Sequence, residues 1–324
     1  MSVPAPFNSA HSVLIGSNVW HYLRARPNSN PKGTVLLLHG FPDLPLGWKH
    51  QVPLFTSLGY QVIAPQMLGY GQTSSPSEVD AFSYKNQSND LAALLDQIVP
   101  DEQVILGGHD WGGALVWPFA TYHPHLFKAV FSVGFPYIPP TTEYVDLRDK
   151  IAANTSTTFE FMLQLGEPST DQRLQSKEQI RQFLLAAFGA QTPDGKFAFS
   201  TSGFDFDAMP HLQQPSLISD AELDYYVSEY HRNGFRGPLN SYRIARINFE
   251  NELPIAQAGG HKFAMPVLFI QALQDAALTP ELSKGMDQHF DKLTRAEVNT
   301  GHWAQYQGPE EVNDALRSWI TTLD

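Results

Sequence analysis

Apolar residues fall in two rhythms along this chain, and the change from one to the other marks out its elements. Residues 34–38 (Thr-Val-Leu-Leu-Leu) form an unbroken apolar run. Such a run predicts a strand covered on both faces, as in a parallel sheet. Residues 61–64, 104–106, 129–133, 266–270 and 296–298 repeat that signature in shorter form. Helical spacing separates them. Apolar positions at 91, 94, 95 and 98 predict a helix over 89–99, and similar patterns predict helices over 48–58, from 114 onward, over 282–290 and over 309–323. Near the start, two short runs around Gly16-Ser17-Asn18 predict a hairpin over 12–26. Strands alternating with helices indicate an α/β protein with a mostly parallel sheet.

That alternation stops at about Gly134 and resumes only after Ala258. Between them the pattern predicts mainly helices and loops, clearest at 177–188 and 220–231, with Asp220 as a candidate cap for the second. The expected organisation is therefore a core of residues 1–134 and 259–324, interrupted by a helical lid, or cap domain, over 135–258.

Composition narrows the chemistry. The 324 residues carry a net charge of −12, a poor match for a phosphate backbone, so nucleic acid is not an expected partner. There is no cysteine, which excludes disulfides, thiolate metal sites and a cysteine nucleophile. No apolar run reaches membrane-spanning length. The first residues lack the basic and apolar regions of a signal peptide, so the expectation is a cytoplasmic protein.

The candidate chemistry centres on Gly107-Gly108-His109-Asp110-Trp111-Gly112-Gly113, which follows a predicted strand and opens a helix. That context matches a nucleophile elbow, G-x-S-x-G in its serine form, with Asp110 in the nucleophile position. The simpler alternative is that Asp110 only caps the helix. Further residues fit the order nucleophile, acid, histidine. Asp275 follows a late strand, and His302 lies in a loop before the last helix. Together they predict a catalytic triad. His39-Gly40-Phe41-Pro42 follows the strand at 34–38, and the Phe41 and Trp111 amides are candidate oxyanion-hole donors.

These motifs, with the run Gly234-Phe235-Arg236-Gly237-Pro238-Leu239-Asn240-Ser241-Tyr242-Arg243, resemble the soluble epoxide hydrolases of the α/β-hydrolase superfamily over nearly the whole chain. The resemblance implies attack by Asp110 on an epoxide carbon and an alkyl-ester intermediate. It implies a hydrogen bond from Tyr242 to the epoxide oxygen, and hydrolysis of the ester by water that His302, oriented by Asp275, activates. No metal or organic cofactor is implied. The partners are a small hydrophobic epoxide and water. Phe41, Trp111, Phe135, Phe161 and Trp303 are candidate walls of an apolar pocket.

The chain departs from the family at two places. A second lid tyrosine is expected where Phe161 stands, and Gln164, one turn on, is the candidate substitute donor. Gln66 occupies a position where relatives usually carry an acid. Two alternatives remain open: a dehalogenase with the same Asp110 ester chemistry, and a non-hydrolytic relative that binds an apolar ligand or guides internal ring opening.

Overall fold

The computed structural model describes residues 3–213 and 217–323. The strands in chain order are β1 (Ser9–Ile15), β2 (Asn18–Ala25), β3 (Gly33–Leu38), β4 (Tyr60–Pro65), β5 (Val104–His109) and β6 (Phe127–Val133), then the two-residue strands β7 (Phe199–Ser200) and β8 (Gly203–Phe204), and finally β9 (Val267–Ala272) and β10 (Leu293–Val298). All but β7 and β8 join one eight-stranded sheet in the order β1-β2-β4-β3-β5-β6-β9-β10. The β1–β2 and β2–β4 pairs are antiparallel and the remaining pairs parallel.

The unbroken apolar runs have a simple reason. Successive strand residues point to opposite faces, and here both faces are covered. Leu36, Leu38, Leu106 and Val130 belong to one buried cluster, while their neighbours Val35, Leu37, Ile105, Ala129 and Phe131 belong to the other. Each such side chain removed from water contributes roughly 1.5–3 kcal/mol, so both faces resist slippage of the central strands.

The helices are α1 (Val52–Ser57), α2 (Tyr84–Ile98), α3 (Trp111–Tyr122), α4 (Leu147–Ala152), α5 (Phe161–Gly166), α6 (Pro168–Gln172), α7 (Lys177–Ala187), α8 (Asp220–Asn233), α9 (Arg236–Leu239), α10 (Ala245–Gln257), α11 (Ala304–Gln307) and α12 (Pro309–Ile320). The helix expected over 282–290 is absent. Two 3₁₀ turns, Pro280–Ser283 and Met286–His289, stand in its place, separated by Gly285 in the left-handed region at φ 80°. The helix expected over 48–58 is confined to α1, with a 3₁₀ turn, Pro45–Trp48, ahead of it. Nor does Asp220 cap α8. Ser219 does, in a reciprocal pair with Glu222, and Asp220 is the first helical residue, where its charge suits the helix dipole.

Among the described residues between β6 and β9, the regular elements are helices joined by loops, apart from the short β7–β8 hairpin. Buried polar contacts fasten this insertion to the sheet. The Gln66 amide donates to Glu229 of α8 at 2.8 Å, and Arg232 donates to the other oxygen of the same carboxylate at 2.9 Å. The acid missing at position 66 thus has a counterpart across the joint. The Tyr230 hydroxyl donates to the Asp43 carbonyl at 3.1 Å. No helix among the described residues is long and apolar enough to cross a membrane.

Candidate active site

Asp110 stands at the turn between β5 and α3 with φ 53° and ψ −124°, a conformation that side chains other than glycine rarely adopt. Its side chain makes no capping bond to α3, so the helix-cap alternative fails. The turn demands small neighbours. A Cβ on Gly108 would collide with the Gly112 carbonyl, and one on Gly40 would collide with the Asp110 carboxyl itself.

Asp110 Oδ1 accepts the Phe41 amide at 2.8 Å, and the neighbouring Trp111 amide also favours the charged carboxylate. Oδ2 faces the other way, 3.6 Å from His302 Nε2. On the far side of the ring, His302 Nδ1 lies 2.8 Å from Asp275 Oδ2. The second oxygen of Asp275 accepts the Ala277 and Leu278 amides at 2.9 and 3.0 Å. The structure thus brings the predicted triad and both predicted amides together.

The electrostatics follow from burial and pairing. Burial raises the Asp110 carboxyl above its ordinary value, opposed by the His302 charge and the two amides. Burial would also raise Asp275, but His302 and the hydrogen bonds prevail and hold it down at about 2. Burial works against protonation of His302, yet Asp275 and Asp110 lift the imidazole to about 9. In the resting site His302 is therefore an imidazolium at neutral pH. Part of that lift comes from the Asp110 charge. In Asp110→Asn, His302 is expected to titrate below the parent value of about 9, read by histidine NMR. Equal values in both proteins would show that Asp110 does not act on the ring.

Tyr242 reaches the site from the 3₁₀ turn Asn240–Tyr242 of the insertion. Its ring meets Trp111 edge-on at 5.2 Å, Phe41 at 5.3 Å and Phe161 at 6.3 Å, between centroids. Burial and the Asp110 charge push its phenol well above the ordinary value, so it stays a hydrogen-bond donor. Phe161 begins α5 beside it and also packs on Phe199. Gln164 is not the substitute donor. Its amide is consumed by the backbone of Phe204, which it meets through both its oxygen and its nitrogen.

The chain belongs to the epoxide hydrolases of the α/β-hydrolase fold family. A family model described as alpha/beta hydrolase fold matches residues 33–309. The chain is 42% identical to epoxide hydrolase srdG of Neurospora crassa, over 96% of this chain and 94% of that one. It is 32% identical to epoxide hydrolase A of Mycobacterium tuberculosis, over 90% and 91% of the two chains. It is also 31% identical to the rat bifunctional epoxide hydrolase 2, but spans only 51% of that protein's length. The crystal structure of epoxide hydrolase A from Mycobacterium thermoresistibile superposes with a TM-score of 0.80 at 28% identity, covering 98% of this chain and 99% of that one.

The remaining predicted pocket residues of this epoxide hydrolase family member are placed differently from one another. Phe135 follows β6, and its carbonyl accepts from the Ser132 hydroxyl at 2.6 Å and the Trp117 indole at 3.3 Å. Trp303 lies beside His302 and stacks on Phe188 at 4.5 Å, while its indole donates to the Ala187 carbonyl at 2.9 Å. It ties the histidine loop to the end of α7.

Asp43 is a buried group that sequence reasoning missed. It accepts from Leu44 at 2.8 Å and from the hydroxyls of Tyr226 at 2.5 Å and Tyr306 at 3.2 Å, all at Oδ1, and Oδ2 has no partner. Burial raises it to about 6, the Asp110 charge adds to that rise, and the Asp43 charge is in turn felt at His302. Its place directly after His39-Gly40-Phe41-Pro42 was the available signal.

Proposed function

We propose that this chain hydrolyses a hydrophobic epoxide to a vicinal diol through a covalent ester on Asp110, with residues 135–258 as a lid over a core of 1–134 and 259–324. The observation that carries the reading is one carboxyl group held between the Phe41 amide at Oδ1 and a histidine–aspartate pair at Oδ2. In the first step Oδ2 attacks an epoxide carbon. The ester bond forms as the ring C–O bond breaks, and the electron pair stays on the epoxide oxygen. Tyr242 hydrogen-bonds to that oxygen as its charge develops.

Ester formation neutralises Asp110 and so removes one of the charges that lift His302. The imidazolium gives up its proton more readily, that proton completes the hydroxyl on the ring-opened oxygen, and the neutral imidazole becomes a base for the second step. Nε2 takes a proton from water, and the resulting hydroxide adds to the ester carbon. The oxyanion develops on Oδ1, already seated against the Phe41 amide, with the Trp111 amide as the second donor. Collapse breaks the bond between the ester carbon and Oδ2, the leaving alkoxide takes the carboxyl proton to complete the diol, and Asp110 is again a carboxylate while His302 holds the proton from water. The rings of Phe41, Trp111 and Phe161 around Tyr242 favour an apolar substrate.

An epoxide suits this site better than a haloalkane, because the oxygen released by ring opening needs the donor that Tyr242 offers. The paired His302 and Asp275 support hydrolysis rather than simple ligand binding. One turnover in oxygen-18 water tests the covalent step. The first-turnover diol is expected to carry unlabelled oxygen from Asp110, while the label enters the enzyme. Label in the first-turnover diol would mean that water attacks the epoxide directly.

A further inference from the structure

His109 precedes the nucleophile, is fully buried, and has no part in the chemistry just described. Its Nε2 lies 2.8 Å from the backbone carbonyl of His302, a residue 193 positions away. Its Nδ1 lies 2.9 Å from the amide nitrogen of Gln305, which is also fully buried. The ring sits 5.0 Å from that of His302 and 5.7 Å from that of Trp303.

These contacts dictate where the proton is. A backbone carbonyl can only accept, so Nε2 must carry a hydrogen to meet His302. An amide nitrogen can only donate, so Nδ1 must be bare to meet Gln305. Both demands are satisfied by one species, the neutral Nε2–H tautomer. Burial, with the His302 charge beside it, lowers the ring to about 3 and keeps it neutral at physiological pH.

We propose that His109, held in its Nε2–H tautomer by Gln305, is the positioning residue that sets the His302 base against the Asp110 ester. The nucleophile is joined to His109 by a peptide bond and the base is joined to it by a hydrogen bond. One rigid buried ring therefore fixes the spacing between them. Without that donor the His302 carbonyl loses a buried partner, and the loop that carries the base relaxes. Base-catalysed ester hydrolysis depends on His302 geometry, whereas attack by Oδ2 does not need a base. The effect falls on the second step.

The inference rests on His302 being the base for ester hydrolysis, and the experiment separates the two. Ester formation and decay are followed by stopped-flow single turnover in the parent and in His302→Gln, His109→Phe, His109→Gln and Gln305→Leu. His302→Gln is the control for the base. Decay at the parent rate there overturns the reading of His302 and leaves the ring contacts unexplained. With that control slow, His109→Phe is expected to slow decay by about tenfold to a hundredfold, in line with small misplacements of catalytic groups, with ester formation within about threefold of the parent. His109→Gln restores a donor to the carbonyl and is expected to recover most of the decay rate. Gln305→Leu, which lies outside the elbow, is expected to slow decay more than formation. Unchanged decay in both His109→Phe and Gln305→Leu, or no recovery in His109→Gln, overturns the positioning role. The parent protein supplies an independent reading through histidine nitrogen-15 NMR at neutral pH. His109 is expected to show a protonated Nε2 and a bare Nδ1, and an Nδ1–H tautomer or an imidazolium overturns the proposal.

Discussion

Glutamine in place of His302 is expected to trap the protein as an alkyl ester. The neutral amide cannot take a proton from water, so the second step loses its base, while Oδ2 of Asp110 keeps its freedom to attack. Loss of a general base costs roughly 10²–10⁴ in rate, and that loss should appear in ester decay. Mass spectrometry of the digested protein should then show the substrate mass added to the peptide that holds Asp110. Asp110→Ala should show no adduct, because the attacking oxygen is gone. Asp275 supplies the control for electrostatics. In Asp275→Asn the imidazole loses the charge of its partner at 2.8 Å, and ester decay should also slow. Turnover of His302→Gln at the parent rate would remove this histidine from the mechanism.

The second large effect is expected at the epoxide oxygen. Phe161 stands beside Tyr242, 6.3 Å between ring centroids, and Gln164 is held by the Phe204 backbone. Tyr242 is therefore the donor proposed for the oxygen. Tyr242→Phe is expected to remove most ring opening, whereas Phe161→Tyr adds a hydroxyl near the same point. A hydrogen bond to developing charge is worth about 1.5–3 kcal/mol, so Phe161→Tyr should speed ester formation about tenfold or more. Aliphatic epoxides should gain most, because an aryl group already eases ring opening at the adjacent carbon. Ester decay should change little in either variant, since the proposed mechanism assigns that step to the Phe41 and Trp111 amides. Pre-steady-state rates on paired aryl and aliphatic epoxides provide the measurement. A harmless Tyr242→Phe, or a Phe161→Tyr that alters only substrate affinity, would mean that these side chains do not face the oxygen.

The sheet was legible because its central strands are buried on both faces. Burial on both faces removes the polar alternation and leaves unbroken runs such as Val35-Leu36-Leu37-Leu38. The elbow was legible for a steric reason, since the backbone at Asp110 tolerates only small residues at Gly108 and Gly40. The stretch 282–290 misled because apolar spacing does not register chain direction. Gly285 turns the backbone into the left-handed region and divides one apparent helix into two short turns. At α8 the reading erred by one residue, because Ser219 and Asp220 are both good caps in isolation. Only the reciprocal bonds with Glu222 choose between them.

The sequence by itself determined the α/β class and pointed to the order Asp110, Asp275, His302 for the proposed nucleophile, acid and base, with the Phe41 amide placed on Asp110. These follow from local rules: which residues a buried strand admits, which a sharp turn admits, and which side chains can attack or carry a proton. The tertiary structure decided everything that joins distant segments. It put Tyr242 against Trp111 and Phe41, consumed Gln164 in a hairpin, paired Gln66 with Glu229, and surrounded Asp43 with Tyr226 and Tyr306. It also linked His109 to His302 and Gln305. Such contacts leave no periodic trace, because a hydrogen bond across the fold constrains only the two atoms that meet, whereas burial and backbone geometry constrain every residue of a run.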